Sequence, residues 1–236
     1  MSTAAADPHA QLISLAVHEL RTPVGVVSGY LRMLLRDEEE PLTPRQRRMV
    51  EDADKSCTRM AALIAELSEV GKLDAGIVRL AGQPIDLMAI VRDVAAHMHE
   101  ASERDVRLTV RGTSDPVPVT GDAARLRTAF DAVFRAVLRE RPGPATVLAD
   151  CRRVTVDGVD SFVVVVADES DLNEAASRVR RPFSEGRGGL GLALPLARRV
   201  IEGHRGRLQA PQPADGRTDS DDRIARSSVI VTIPLG

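Results

Sequence analysis

The amino-acid sequence predicts a helical hairpin followed by a mixed α and β domain. In residues 11–36 and again in residues 49–70, apolar side chains recur at intervals of three and four, the spacing of a helix that buries one face. From residue 85 onward, short segments with alternating apolar side chains, typical of β-strands, are interspersed with helical segments. We therefore expect an all-helical domain and then an α/β domain in this chain of 236 residues.

Composition excludes several classes of function. The 32 basic and 34 acidic side chains nearly balance, so the chain lacks the positive field that nucleic-acid binding requires. The longest apolar run, residues 162–167, is far shorter than the roughly 20 residues that cross a bilayer. Residues 1–10 lack the basic and apolar parts of a signal peptide. We expect a cytoplasmic protein without direct membrane insertion, in which Cys57 and Cys151 stay reduced.

The first helix is predicted over residues 11–36, with one narrow apolar seam. At about 100° per residue, His18 and Thr22 each lie roughly 160° from Leu20, on opposite sides of it. Both side chains therefore face away from the seam, and His18 is not predicted to be a core histidine. The predicted seam consists of Ile13, Ala16, Leu20, Val24, Val27, Leu31 and Leu34.

A turn and a second helix follow. Four acidic residues and two prolines in residues 37–44 interrupt the helical pattern. Two helices joined by a short loop form an antiparallel hairpin, which by itself leaves much apolar surface exposed. We therefore expect a homodimer, in which two copies of residues 1–75 form a four-helix bundle. The second seam is predicted at Met49, Ala53, Met60, Leu63, Ile64, Leu67 and Val70.

The second domain is predicted over residues 85–236, after a linker at residues 76–84 that contains three of the chain's turn-forming residues, Gly76, Gly82 and Pro84. Residues 211–226, rich in Asp and Arg, are predicted to form a loose loop. Strands are expected near residues 85–87, 106–110, 117–120, 146–156, 161–167 and 228–233. Those at 146–156 and 161–167 are expected to pair with each other. Helices are expected directly after the first of these strands, from residue 87 to about residue 103, and at 122–140 and 191–202.

Residues 18–23, His-Glu-Leu-Arg-Thr-Pro, place an imidazole, a carboxylate and a hydroxyl within about one helical turn. An exposed histidine with one unprotonated ring nitrogen can accept a phosphoryl group, and Glu19 can take the proton of the other nitrogen. Pro23 has no amide hydrogen, so the carbonyl of Glu19 loses its helical partner and the helix can bend there. The alternative is a helix boundary, with Thr22 as N-cap and Pro23 at the first helical position. The apolar seam runs through Pro23, which disfavours that alternative.

This segment resembles the phospho-acceptor box of the sensor histidine kinases of two-component signalling. The resemblance implies that His18 carries the phosphoryl group, that Glu19 is the general base, and that Thr22 positions water when a response regulator is dephosphorylated. It also implies that the second domain is an ATP-binding α/β sandwich of the GHKL, or Bergerat, type, the fold of Hsp90 and gyrase. Response-regulator receiver domains are the partners that the family implies.

The family builds its ATP site from four segments, and the first of them lacks its metal ligand here. Gly121 and Asp122 match the start of the family's asparagine-bearing helix. Ala132 and Ala136 stand where the family places its two asparagines, the second of which holds Mg²⁺. A methyl group cannot ligate Mg²⁺, which requires oxygen ligands, and phosphoryl transfer from ATP depends on that ion.

The other three segments match in part. By the resemblance, Asp168 would accept the adenine amino hydrogen, but the two glycines that follow it in the family are absent. Residues 181–183 match the phenylalanine segment, and the amides of a glycine turn that contains Gly189 and Gly191 would face a phosphate. Only residues 184–186 stand where the family has a lid, and Arg187 replaces the first glycine of the turn. We therefore expect a degenerate nucleotide site.

Other candidate residues are weaker. His97 and His99 are expected on a helix, two residues apart and so on different faces, which disfavours a metal site. His204 is expected at a helix end. The arginines near the shortened lid indicate either a solvated basic face or a docking site for an acidic partner; they are Arg178, Arg180, Arg181 and Arg187.

Three functions are compatible with these features. The favoured interpretation is a phosphorelay protein that transfers phosphoryl groups between His18 and receiver aspartates, or loses them to water, with no cofactor of its own. One alternative is a divergent autophosphorylating kinase that uses ATP and Mg²⁺. The other is a non-catalytic dimeric scaffold that binds a signalling partner.

Overall fold

The computed structural model describes the chain at residues 8–100, 102–184, 191–214, 216–218 and 221–236. Contacts within the chain divide it into two compact units. The first is Met1–Arg79 and the second is Leu80–Gly236, so the division falls inside the predicted linker. A helical unit followed by a mixed α/β unit confirms the predicted fold class.

The first unit is an antiparallel hairpin of two long helices, α1 (Pro8–Arg36) and α2 (Pro44–Asp74). α2 begins with a capping box, in which Gln46 N–H donates to Oγ1 of Thr43 and Thr43 N–H donates to Oε1 of Gln46. These two bonds satisfy backbone donors that a helix start otherwise leaves unpaired. The turn between the helices therefore ends where the sequence predicts.

The side chains that α1 buries in the hairpin differ in part from the predicted seam. Leu20, Val27 and Leu34 are 49%, 48% and 44% exposed, although the sequence pattern places them in the seam. Apolar residues cover more than half of the circumference of α1, so a helical period alone mixes the face that contacts α2 with a second apolar face. The buried and partly buried face consists of Ile13, Val17, Val24, Ser28, Leu31 and Leu35.

The second unit contains two sheets and five helices among the residues described. Its strands are β1 (Gln83–Asp86), β2 (Val106–Gly112), β3 (Pro118–Gly121), β4 (Ala145–Val156), β5 (Val159–Asp168), β6 (Arg180–Pro182), β7 (Arg207–Pro211) and β8 (Val229–Pro234). Its helices are α3 (Leu87–Ala96), α4 (Ala123–Arg139), α5 (Leu172–Ser177), α6 (Ala193–Gly203) and α7 (Arg223–Ser227).

The larger sheet has six strands in the order β2-β4-β5-β8-β7-β6. β2 and β4 are parallel, and the other neighbouring strands are antiparallel. The separate pair β1 and β3 is also antiparallel. The pairing of β4 with β5 confirms the hairpin that the sequence predicts for these two strands.

The central strand β5 is buried on both faces, because its residues alternate between two apolar layers. Val163, Val165 and Ala167 belong to a core cluster with residues of α5 and α7, including Leu172 and Ile224. The alternate side chains, Phe162, Val164 and Val166, are fully buried on the opposite face.

α3 is shorter than predicted. It ends at Ala96 instead of near residue 103, and a separate 3₁₀ turn, Ser102–Arg104, follows. The ring nitrogen Nδ1 of His97 lies 2.8 Å from the carbonyl oxygen of Asp93, which also accepts the backbone N–H of His97 at 3.3 Å.

The segment predicted as a loose loop contains a short buried helix. Asp222 caps α7 by accepting a hydrogen bond from Ala225 N–H at 3.0 Å. Ile224 and Ala225 are buried, so α7 is part of the core, and the prediction of a solvated loop is wrong for these residues. This part of the segment has only two apolar residues among Asp, Arg and Ser, so its periodicity is too weak to predict a helix.

Candidate functional site

The predicted phosphoacceptor, His18, lies on the surface of α1. Its side chain is 80% exposed, and that of Glu19 is 70% exposed. The Nδ1 atom of His18 lies 3.3 Å from Oε1 of Glu19. When Nδ1 carries the proton and donates it to this carboxylate, Nε2 is the unprotonated nitrogen of the ring. The arrangement therefore presents a nucleophilic nitrogen beside a group that can hold the opposite proton.

Thr22 and Pro23 follow on the same helix. Thr22 is exposed one turn after His18, about 40° away around the helix axis. Pro23 lies inside α1, which continues to Arg36, so the alternative of a helix boundary at Thr22 is wrong. The hydroxyl and the imidazole thus share one exposed flank of a continuous helix.

An open groove of about 480 Å³ runs between α1 and α2 beside this flank. Its α1 wall contains Arg21, Gly25 and Gly29, and a Cβ atom added at either glycine would meet no atom within 4 Å. Its α2 wall contains the small side chains Ala61 and Ala65. The groove thus combines open space with a cation one turn from His18. This groove was not predicted from the sequence, although small residues four apart on both helices were a visible signal.

A polar contact fixes the two helices at this groove. Ser28 Oγ donates to Oδ1 of Asp54 at 3.2 Å, and Nε of Arg32 lies 3.5 Å from the same oxygen. Polar pairs inside an otherwise apolar helix interface specify which residues of the two helices face each other. The groove therefore has a defined register.

The positions predicted to have lost magnesium ligands are both buried. Ala132 and Ala136 are each 3% exposed on α4, and their methyl groups offer no oxygen to a metal ion. Within the residues described, no group of three His, Cys, Asp or Glu side chains is placed to hold a metal ion.

Asp168, predicted to contact adenine, lies at the end of β5 with both carboxylate oxygens engaged. Oδ1 accepts hydrogen bonds from Ser170 N–H at 3.1 Å and from Ser170 Oγ at 2.8 Å. Oδ2 lies 3.4 Å from a guanidinium nitrogen of Arg141, a residue that the sequence analysis did not single out. Burial opposes ionisation, but the Ser170 bonds and the charges of Arg141 and Arg223 outweigh it, so the pKa of Asp168 is lowered.

The predicted glycine turn is described only at its end. Gly189 and Arg187 lie outside the described residues. Gly191 has φ of 61°, a left-handed conformation that glycine adopts without strain, and α6 begins two residues later.

The remaining candidates have structural partners. His204 is the C-cap of α6; its Nδ1 lies 2.7 Å from Val200 O, and its Nε2 accepts Asp122 N–H at 2.9 Å. Arg178 pairs with Glu174 and with the buried Asp222, which contradicts a free basic face at that position.

The remaining histidines and the two cysteines belong to no group of three metal-binding side chains in the described part of the chain. His97 is the C-cap of α3 and His99 lies beyond it, so the prediction that both lie within a helix is wrong. Cys57 and Cys151 are free and buried. No helix in the described part of the chain is long and apolar enough to span a membrane.

The chain thus combines an exposed histidine on a helical hairpin with a separate α/β domain, which is a two-domain architecture. Comparison with known proteins shows which family has this architecture. Residues 9–76 match the family described as the His Kinase A (phospho-acceptor) domain. The signal transduction histidine-protein kinase BarA of Escherichia coli K12 is 28% identical over 195 residues, which are 78% of this chain and 21% of that protein. The phosphate regulon sensor protein PhoR of Pseudomonas aeruginosa is 30% identical over 209 residues, 85% of this chain and 46% of that protein.

Solved structures share the fold. Full-length ShkA in complex with AMPPNP superimposes with a TM-score of 0.68 at 20% identity, over 95% of this chain and 45% of that one. The Acinetobacter baumannii histidine kinase AdeS superimposes with a TM-score of 0.56 at 18% identity, over 93% of this chain and 98% of that one. Residues 9–76 thus belong to the His Kinase A (phospho-acceptor) domain family, and the relatives that match most of the chain are sensor histidine kinases of two-component systems. It spans between about a fifth and a half of the length of the two curated relatives named above.

Proposed function

We propose that this protein transfers phosphoryl groups between His18 and the aspartates of response-regulator receiver domains. The observation that carries the proposal is the exposed His18 ring with Glu19 at 3.3 Å from Nδ1. The Nε2 lone pair attacks the phosphorus of an aspartyl phosphate, the bond between phosphorus and the aspartyl oxygen breaks, and the carboxylate leaves as an anion. The reverse step passes the group to a second receiver.

Glu19 and Thr22 have separate roles in this proposal. Glu19 accepts the Nδ1 proton in a hydrogen bond, which holds one tautomer and stabilises the cationic ring formed on attack. Thr22, exposed on the same flank, positions a water molecule for attack on the aspartyl phosphate of a bound receiver. Transfer and dephosphorylation then use one surface but different side chains.

The groove between α1 and α2 suits a receiver domain as its occupant. Gly25 and Gly29 allow close approach of a partner helix, and the apolar lining supplies area to bury. Arg21 lies one turn after His18 and faces the groove, where it complements the acidic pocket that surrounds a receiver aspartate.

The second apolar face of α1 supports the proposed homodimer. Leu12, Leu15 and Tyr30 are 64%, 59% and 64% exposed, and at about 100° per residue they lie within about 60° of one another around the helix axis. An apolar face of this extent marks a surface that another molecule covers. Two hairpins that share it form a four-helix bundle. Tyr30→Glu places a charge in that face, and we expect light scattering to show a monomer.

The proposed transfer requires no nucleotide on this chain. Ala132 and Ala136 supply no oxygen ligand, and both oxygens of Asp168 have partners within the protein. The receiver domain brings the acidic pocket and the magnesium ion that transfer to or from aspartate requires.

Phosphotransfer from a labelled receiver tests the proposal. Receiver domains of the same genome, phosphorylated with radioactive acetyl phosphate, are mixed with the protein, and acid-labile label on histidine is measured. We expect label on the wild type and none on His18→Gln, while His99→Gln, a matched exposed histidine, keeps it. Absence of label with every receiver would refute the proposal.

Autophosphorylation from ATP is the second candidate, and the sequence similarity to sensor kinases favours it. Protein incubated with Mg²⁺ and γ-labelled ATP, without a receiver, separates the two functions. We expect no label on His18. Label that appears without a partner and disappears in His18→Gln would establish the kinase instead. Signalling that survives His18→Gln in cells would indicate the scaffold.

A further inference from the structure

We infer that Asp168 is a structural residue in this protein: together with Arg141, Asp171 and Arg223 it forms an ion-pair brace that joins α4, the β5–α5 turn and α7. By resemblance to the kinase family the same aspartate would contact adenine. The inference concerns the second unit alone and does not rest on phosphotransfer through His18.

The first half of the brace is the pair of Arg141 and Asp168. Arg141 follows the C-terminal end of α4 and is only 4% exposed. One of its terminal nitrogens lies 3.4 Å from Oδ2 of Asp168, and the other donates to the carbonyl of Ser227, at the end of α7, at 3.4 Å. One buried guanidinium therefore contacts both the end of β5 and α7.

The second half is the pair of Asp171 and Arg223. Asp171, the residue that precedes α5, is 5% exposed, and its Oδ1 accepts from a guanidinium nitrogen of Arg223 at 2.7 Å. Ser170 Oγ lies between the two acidic residues, 2.8 Å from Asp168 and 3.3 Å from Asp171. The two ion pairs are therefore one connected cluster.

The charges of the brace compensate one another. Two arginines and two aspartates sum to zero, so the cluster offers no excess positive charge to a triphosphate. A buried charge that loses its partner is strongly unfavourable, whereas the complete set is tolerated. The apolar residues beside it, Leu172 and Ile224, anchor α5 and α7 in the same core cluster. The brace and the core therefore fix these two short helices together.

This arrangement does not fit a carboxylate kept available for a base. Both oxygens of Asp168 are already engaged by Ser170 and Arg141. Arg223 comes from α7, which lies in the stretch between β7 and β8 that the sequence analysis took for a loop. Arg223 thus comes from a stretch that matches none of the family's four nucleotide segments, and Ser170 stands where the second segment has its first glycine.

Thermal unfolding of the full chain, by calorimetry with and without ATP and Mg²⁺, tests the inference. Asp168→Asn and Arg141→Met are compared with Asp157→Asn, which removes an exposed pair in which Asp157 is 72% and Arg207 62% exposed. Without nucleotide, we expect each brace variant to melt about 10 °C lower than the wild type and the control to be unchanged. When Asp168→Asn and Arg141→Met are combined, the melting temperature should be well above the value expected if their two losses added.

Hydrogen exchange gives a local readout. We expect faster exchange at the amides of α7 and the β5–α5 turn in Asp168→Asn, and the same rates as the wild type in Asp157→Asn. Failure of Asp168→Asn to fold while the control folds would equally support the brace. The inference is overturned if ATP raises the melting temperature of the wild type and Asp168→Asn removes that rise but melts normally without nucleotide. Failure of receiver-to-His18 transfer would refute the proposed function and leave this result unaffected.

Discussion

Oε1 of Glu19 lies 3.3 Å from Nδ1 of His18, so consecutive residues of α1 form a carboxylate–imidazole contact on the exposed surface of the helix. Consecutive helical residues point in directions about 100° apart, and their side chains meet only when both bend toward each other. The contact leaves Nε2 as the ring nitrogen available for phosphorus. Substitutions can separate the chemistry of the His18–Glu19 pair from that of Thr22, which lies one turn further along α1.

Glu19→Gln should slow phosphoryl transfer to and from His18 by about 100-fold, because an amide cannot stabilise the charge that the ring gains on attack. Rapid-quench measurement with a saturating phosphorylated receiver gives the rate. Glu38→Gln, in the exposed turn before α2, is the control and should transfer at the wild-type rate. An unchanged rate in Glu19→Gln would show that the observed contact is incidental.

Thr22→Ala should reduce receiver dephosphorylation by about tenfold or more while leaving transfer to His18 within about twofold, since only water attack uses the hydroxyl. Loss of phosphate from a labelled receiver and label gained by His18 are measured in the same samples. Thr22→Ser retains the hydroxyl and should restore dephosphorylation. Equal loss of both activities in Thr22→Ala would contradict separate roles.

The elements with strong periodicity could be predicted from the sequence. The continuous helix through Pro23, the paired strands β4 and β5, and the capped start of α4 at Asp122 all have clear local patterns. The face of α1 that contacts α2 could not be predicted reliably, because two apolar faces adjoin on that helix. Burial of Val17 instead of Leu20 depends on the position of α2, which no local pattern records.

His18 could be proposed as the phosphoacceptor from the sequence because the six residues of its segment are contiguous. The partners of Asp168 could not, since Arg141 and Arg223 are 27 residues before it and 55 after it in the chain. Their pairing depends on the tertiary structure, and no characteristic spacing in the sequence indicates it. α7 was missed for a related reason: five residues make too short a helix for a periodic signal.

The contact between Ser28 and Asp54 should set the register of the hairpin. Asp54→Ala removes the acceptor of Ser28 Oγ at 3.2 Å and the partner of Arg32, and we expect a loss of about 1 kcal/mol in the free energy of unfolding. Ser28→Ala should cost about the same, and the double variant less than the sum. Urea unfolding followed by helical circular dichroism measures all three. Asp52→Ala, whose side chain is 74% exposed, is the control and should lose at most about 0.5 kcal/mol. Additive losses would exclude a direct interaction.

Asp222 should make the second unit sensitive to acid. The residue is 1% exposed and accepts hydrogen bonds from Ala214 N–H at 2.9 Å, Ala225 N–H at 3.0 Å and Arg178 at 2.8 Å. Burial opposes its ionisation, but these bonds and the charge of Arg178 outweigh it and hold the pKa of Asp222 far below 3.8, its ordinary value. The stabilisation is therefore complete above pH 3.8 and is lost as the pH falls toward the pKa of the folded state.

Asp222→Asn keeps the size of the side chain and removes its titration. At pH 7 we expect it to lower the free energy of unfolding by about 3 kcal/mol, because Arg178 loses a buried partner. Below pH 3.8 the wild type should lose about 1.4 kcal/mol more per pH unit than the variant, so the two unfolding curves converge. Urea unfolding at half-unit steps between pH 7 and pH 2 measures this difference, and Asp157→Asn should follow the wild type throughout. If the difference in free energy of unfolding between the wild type and Asp222→Asn stayed constant across that range, these contacts would not lower the pKa of Asp222.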